Sequence, residues 1–255
     1  MSAPLAFLGD FGGAVEFIFE ERESVSGGVQ IGGPAELLGF GLTHMWISVA
    51  AVVIALAIAV PIGLFLGHKG RGEFLAISTS NVGRAVPSLA LLAFFIAFVG
   101  VGPTNVILVL VLLAIPPILT NTYVGVRQVD RDTVDAARGM GMTGAEIVRK
   151  VRFPLALPLI FGGIRTASVN VVATATIAPL ANVQTLGEPI VTPQTYGFQG
   201  QLGAAIVVAL LTILVDLGFA RIQQILTPKG LELARSEPAS RRRGILAFRK
   251  GSPAI

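Results

Sequence analysis

The side chains of this sequence that could do chemistry are sparse and sit in apolar surroundings. Asn81, Ser88, Asn121, Asn170 and Thr174 interrupt long apolar runs, as do three ionisable residues, Arg84, Arg165 and Asp216. An amide or a carboxylate in hydrocarbon must find a partner or a watery cavity, so such residues either tie one helix to another or line a path for a solute. Both roles stay open for the five polar residues. Asn170 and Thr174 are the better path-lining pair, because their i,i+4 spacing puts them on one helix face. Asp216 has two readings, pairing with a basic residue of a neighbouring helix or relaying protons. Arg84 and Arg165 fall close to the cytoplasmic starts of their helices and are expected to snorkel toward the interface.

Other chemistries lack their parts. With no cysteine and two scattered histidines, His44 and His68, neither a disulfide framework nor a metal cluster is expected. His44 falls at a helix entry and His68 in a basic loop, so interfacial or solvated positions are expected for both. A P-loop needs a Gly-Lys pair, and no such dipeptide occurs. Serine-hydrolase elbows and zinc-protease helices are absent as motifs too. The sequence therefore reads as a non-enzyme with no cofactor, and any ATPase it uses must be another chain.

A second kind of chemistry, attachment, is concentrated in a polar island from Asp130 to Pro158, between two apolar segments. Asp130 or Asp132 can cap a short helix that contains Asp135, and Gly139 and Gly141 then break it. Thr143 and Glu146 have capping-box spacing, so a second short helix is expected to run from there until Pro154. Its apolar Ile147, Val148 and Val151 share one face, with Arg149, Lys150 and Arg152 around the other. Ala136 and Ala137 are small enough to let a helix end sit deep in another protein's groove. The competing reading is an amphipathic connector on the membrane surface.

The elements that must position these residues are membrane spans. Apolar residues make up 53% and charged residues 13% of the chain, and the mean hydropathy is +0.77, far from the soluble average. A crossing needs roughly 20 apolar residues, which predicts about five spans, at 44–67, 80–99, 104–124, 158–181 and 203–226. Pro61, Pro116, Pro117 and Pro179 within them call for neighbouring helices, and Gly63-x-x-x-Gly67 permits a close helix approach. Cations cluster in the 68–75 loop, in the island and in the tail with its Arg241-Arg242-Arg243 run, so these are expected to be cytoplasmic. The 182–202 loop has no cation and the N-terminal region only Arg22, which predicts an external N-terminus and a cytoplasmic C-terminus. The expected division is an external segment at 1–40, a membrane domain at 41–227 and a basic, disordered tail at 228–255. The external segment is expected to hold a short helix and a glycine-rich flexible link. The basic tail suits anionic lipid, and no nucleic-acid role is expected.

Asp135-Ala136-Ala137, three residues, Gly141, nine residues, then Val151-x-Phe153-Pro154 resembles the EAA signature of ABC importer permeases, with Asp135, Val151 and Phe153 in place of Glu, Ile and Leu. Val86 to Leu92, Ile118 to Tyr123, Ala137 to Met142 and Gly163 to Ala167 are similar to the glycine betaine/carnitine/choline branch, while Ala181 to Gly187 departs from its glycine-rich turn. The resemblance implies an all-α integral membrane fold like the methionine-importer permease, a type I ABC transmembrane domain. It assigns Asp135, Ala136, Ala137, Gly141, Val151, Phe153 and Pro154 to coupling with a cytoplasmic ABC ATPase, present in two copies. It further implies a second permease chain, identical or paralogous, an external solute-binding protein, and alternating access in a prokaryotic plasma membrane. The cargo so implied is a quaternary-ammonium solute; one Trp and two Tyr are too few for a strong aromatic cage here, so the selective site is expected on the binding protein. An amino-acid importer is the alternative cargo reading, and an ion-gradient transporter centred on Asp216 the alternative class.

Overall fold

The structure, a computed structural model, describes residues 3–70, 72–74, 78 and 86–226. Asn81, Arg84 and the tail from 228 lie outside the described residues. The helices, numbered as they occur, are α1 (Ala3–Phe19), α2 (Gly33–Lys69), α3 (Ser88–Val99), α4 (Pro103–Arg127), α5 (Arg131–Gly139), α6 (Gly144–Ile147), α7 (Phe153–Thr174), α8 (Glu188–Val191) and α9 (Pro193–Leu226). A π turn at Val148–Arg152 joins α6 to α7, and a 3-10 segment at Ala175–Ala181 follows α7. Four stretches are long and apolar enough to cross a membrane: Gly33–Lys69, Pro103–Arg127, Gly144–Ala181 and Pro193–Ile225. The expected 80–99 span is represented by α3 alone, which at 12 residues is too short to cross by itself.

The first span starts eleven residues earlier than hydropathy indicates, at Gly33 rather than 44. At 1.5 Å per residue α2 is about 55 Å long, well beyond a hydrocarbon core of about 30 Å. Its early turns hold a small subdomain together. The expected flexible link is an ordered antiparallel hairpin, β1 (Glu21–Glu23) paired with β2 (Gln30–Gly32), the one sheet among the described residues and an addition to the all-α expectation. Gly27 and Gly28 turn it at φ of 80° and 78°, a conformation only glycine adopts readily. Arg22 fastens the hairpin to α9, donating to Gln199 Oε1 at 2.5 Å and to the Tyr196 carbonyl at 2.7 Å, with its guanidinium 5.1 Å from the Phe17 ring centroid. Glu36 closes the network, accepting from the Tyr196 hydroxyl at 2.8 Å and from the Gly32 amide. Phe17, Ile31, Leu37, Phe40, Leu186, Tyr196 and Val208 form the apolar cluster beneath.

The main core runs along α4, which packs between α2 and α7. A Cβ added to Gly63 would lie 2.7 Å from Thr122 Cβ, and one on Gly67 would lie 2.8 Å from Val126 Cβ. The Gly63-x-x-x-Gly67 pattern is therefore a real seam between α2 and α4. Gly163 plays the same part on α7, where a Cβ would meet Asn121 Cβ and the Pro117 carbonyl at 2.7 Å.

His44 is not interfacial or solvated within the chain, as its helix-entry position had suggested, but fully buried: its Nε2–H donates to the Val172 carbonyl at 2.8 Å. The acceptor lies on α7, far away in sequence, and removes the reason to face water. His68 lies in the last turn of α2 rather than in a loop and is half-buried beside Gly144.

The 182–202 segment is likewise built rather than loose. Thr185 is buried and donates to the Ala175 carbonyl at 3.1 Å, and it accepts from the Gly187 amide at 3.2 Å. A Cβ at Gly187 would lie 1.9 Å from the Thr176 carbonyl oxygen. Gly187→Ala should therefore overpack a backbone contact and cost about 1–3 kcal/mol, read as a melting temperature lowered by several degrees in detergent. Gly12→Ala, which meets nothing within 4 Å, should leave melting unchanged; equal melting for both variants would contradict this packing.

Candidate functional site

The island folds as two short helices on a glycine turn, and local capping explains most of it. Asp130, not Asp132, is the N-cap of α5: its Oδ1 accepts from the Asp132 and Thr133 amides at 2.8 and 3.1 Å. The helix ends at Gly139, and Gly141 turns the chain at φ 83°. Thr143 and Glu146 then make the expected capping box, the Thr143 amide donating to Glu146 Oε2 at 3.0 Å. The Thr143 backbone N–H and then the Lys150 ammonium hold the Glu146 carboxyl at about 2, below its ordinary range. The box therefore stays formed at physiological pH.

The second helix does not stop at Pro154. Five residues, Val148–Arg152, widen into a π turn, in which the Phe153 amide donates to the Val148 carbonyl, and Pro154 falls in the first turn of α7, where its missing N–H disrupts nothing. The chain thus runs from the island into the span as one bent rod.

The signature residues divide into two groups. Ala137 is 2% exposed and packs with Val134 and Ile147 in a miniature core, against which Val129, Met142 and Val151 lie. Its methyl faces its own chain, which corrects the reading of both alanines as outward-facing. The cause is tertiary: α6 folds back on α5 and covers that face. Phe153 continues the contact inward, lying against Val126, Ala156 and Ile160 of α4 and α7. Asp135, Ala136 and Gly141 remain exposed, with Asp135 in a surface ion pair to Arg138 at 3.2 Å.

Two features of this site escaped the sequence reading. Met140 is 72% exposed at the tip of the turn, an apolar side chain amid polar neighbours. Arg152 reaches the end of α2, donating to the carbonyls of Gly67 and His68 at 3.4 and 3.3 Å. A cation at a helix C-terminus also complements the dipole. Spacing gave no hint of it, because its partners lie more than 80 residues away.

The polar residues of the spans also separate. Asn121 donates to the Pro117 carbonyl of its own helix at 2.8 Å and packs at Gly163, which makes it part of the α4–α7 seam. Ser88 opens α3 and is half-buried. Asn170 is exposed on α7, with Thr174 half-buried one turn on and exposed Thr166 one turn before. Arg165 does not snorkel toward the interface; it is held laterally by Asp216 of α9 through Nε–Oδ1 at 2.5 Å and Nη2–Oδ2 at 2.6 Å. The pairing expected for Asp216 thus has a named partner.

Four membrane-length helices and a bent polar segment that feeds one of them define a multi-pass membrane protein. The chain belongs to the binding-protein-dependent transport system inner membrane component family, which matches residues 59–230. It is 38% identical over 190 residues to the glycine betaine/carnitine/choline transport system permease protein OpuCB of Bacillus subtilis, covering 74% of this chain and 88% of the relative. A carnitine transport permease, OpuCB of Listeria monocytogenes, is 38% identical over 193 residues, with 75% and 88% covered. An inward-facing structure of the MetNI methionine ABC transporter matches with a TM-score of 0.65 at 21% identity, covering 76% of this chain and 97% of that one, which bears out the type I fold. The chain is an ABC importer permease of this branch.

Because Ala137 is buried, Ala137→Glu should open the miniature core and destabilise the island itself, by about 3 kcal/mol or more for an unpaired buried charge. Protease cutting between residues 127 and 153 should become faster in the variant than in the parent. Unchanged cutting would contradict the burial.

Proposed function

We propose that this chain is the permease of an ATP-driven importer for a quaternary-ammonium compatible solute: glycine betaine, carnitine or choline. The observation that carries the reading is the 38% identity, over three quarters of the chain, to permeases named for these solutes. In this reading two cytoplasmic ATPases, a second permease chain and an external binding protein complete the machine. α5 and its turn enter a cleft of the ATPase, with Asp135, Ala136, Gly141 and Met140 outward. Ala137, Val151, Phe153 and Pro154 transmit the movement inward through packing.

The pathway side is the face of α7 that carries Asn170 and Thr174, since neutral hydrogen-bonding groups suit transient passage of a cation whose selective site lies elsewhere. An ion-gradient mechanism has less support, because both oxygens of Asp216 are engaged by one guanidinium. The test is uptake of labelled solute into vesicles holding the permease, its ATPase and its binding protein. ATP-dependent uptake of at least one of the three solutes is expected, and none would overturn the reading. Ala136→Glu should abolish both uptake and co-purification with the ATPase while leaving the permease folded; retained co-purification would sink the assignment of α5.

Orientation follows from the distribution of cations, with the island inside and the 182–202 segment outside. In this cysteine-free chain, Gln184→Cys should react in intact cells with an impermeant thiol reagent and Lys229→Cys should not. Labelling at 229 alone would reverse the topology.

A further inference from the structure

The Arg165–Asp216 pair is unlike the other ion pairs described. Arg138–Asp135 and Lys150–Glu146 link neighbouring turns of the exposed island, whereas Arg165 and Asp216 join two spanning helices. Arg165 is the one charged residue of α7, and α9 has only Asp216 and Arg221. Arg165 lies twelve residues beyond Phe153, about 18 Å along the helix, and Asp216 ten residues before Leu226, about 15 Å. Both side chains therefore sit at membrane depth.

They are also reachable from outside the chain. Arg165 is 37% and Asp216 35% exposed, and the next residue on α7, Thr166, is exposed, as is Asn170 one turn further on. Charged groups and free amides at membrane depth face protein or a water-filled cavity rather than lipid. The pair thus shares a wall with the residues placed on the pathway. On that wall an uncompensated guanidinium would repel any cation passing through a medium of low dielectric constant. The bidentate clamp removes that charge: two hydrogen bonds fix the guanidinium plane, and the carboxylate cancels it.

We propose that Asp216 is a specificity-determining residue of the permeation path, which neutralises Arg165 so that the wall beside Asn170 carries no net positive charge toward a quaternary ammonium solute. The proposal rests on the reading of cargo and pathway above and adds to it the group that makes the path passable to a cation.

The test exploits the absence of cysteine. In an Asn170→Cys chain assembled with its ATPase in vesicles, the rate of modification by a trimethylammonium methanethiosulfonate is compared with that by its sulfonate counterpart. Adding Asp216→Asn should lower the cation-to-anion rate ratio about tenfold, and further adding Arg165→Gln should restore it. A ratio that does not change, or a cysteine that reacts with neither reagent, would overturn the proposal. A merely structural pair would instead leave the ratio unmoved while both variants lose stability, and melting curves of each variant read that outcome directly. Solute uptake separates the two claims. If the parent imports none of the three solutes, the cargo reading fails while the rate ratio still reports the charge of the wall. If uptake is normal and the ratio is flat, the cargo reading stands and this inference falls.

Discussion

The close approach of α2 and α7 to α4 is the constraint on which the rest depends. Lipid tails are as apolar as leucine, so helices in a bilayer gain little by merely touching; they associate through tight van der Waals contact and polar bonds, which small residues permit. Here Gly63 and Gly67 admit Thr122 and Val126, and Gly163 admits Asn121. The polar residues in those seams are satisfied on their own helix, Asn121 by Pro117 and Thr122 by Ile118 at 2.7 Å. They can therefore be packed against glycine without needing a partner across the seam. A side chain satisfied in this way is poorly placed to hand a solute along, and this is why Asn121 parts company with Asn170.

That rigid trio gives the island something to push on. Val134, Ala137, Ile147 and Val151 are in one cluster, and Phe153 joins the next, with Val126 and Ala156. Arg152 meanwhile holds the end of α2. A displacement of α5 would reach three spanning helices through contiguous packing, with no flexible joint between Thr143 and α7. The π turn is what makes this possible. A regular helix would meet Pro154 with an unsatisfied carbonyl and a steric clash, and widening at Val148–Arg152 bends the rod without breaking it. π turns recur at functional sites for this kind of reason.

What could be read in the sequence was whatever is decided locally or by long runs. Hydropathy located the spans because twenty apolar residues outweigh any single exception, and the caps at Asp130 and Thr143 were legible because each partner lies within three residues. The start of α2 was not, since Gly33 to Thr43 mixes glycine, Glu36 and apolar residues, and its helicity comes from packing against the hairpin and α9. His44 and Ala137 were misjudged for one reason. Each has a neighbour supplied by a distant element, Val172 in one case and Ile147 folded back in the other, and no local pattern encodes that. The signature marked the right segment without telling which residues face outward.

The same logic explains the cations that break the charge pattern. Under the proposed orientation Arg22 stands on the side that cations avoid, and Arg165 stands at membrane depth. Both are engaged by dedicated acceptors, Arg22 by the Tyr196 carbonyl and Gln199, and Arg165 by both oxygens of Asp216. Arg221, by contrast, lies exposed in the last turns of α9, beside the basic tail, and follows the rule. Orientation is set by cations free to interact with the membrane surface during insertion. An arginine needed to fasten a hairpin is tolerated outside because it is single and surrounded by Asp10, Glu16, Glu20, Glu21, Glu23 and Glu36. It therefore adds no net positive charge to its side. Charge distribution in this chain thus carries two separable kinds of information, topology in its clusters and architecture in its exceptions.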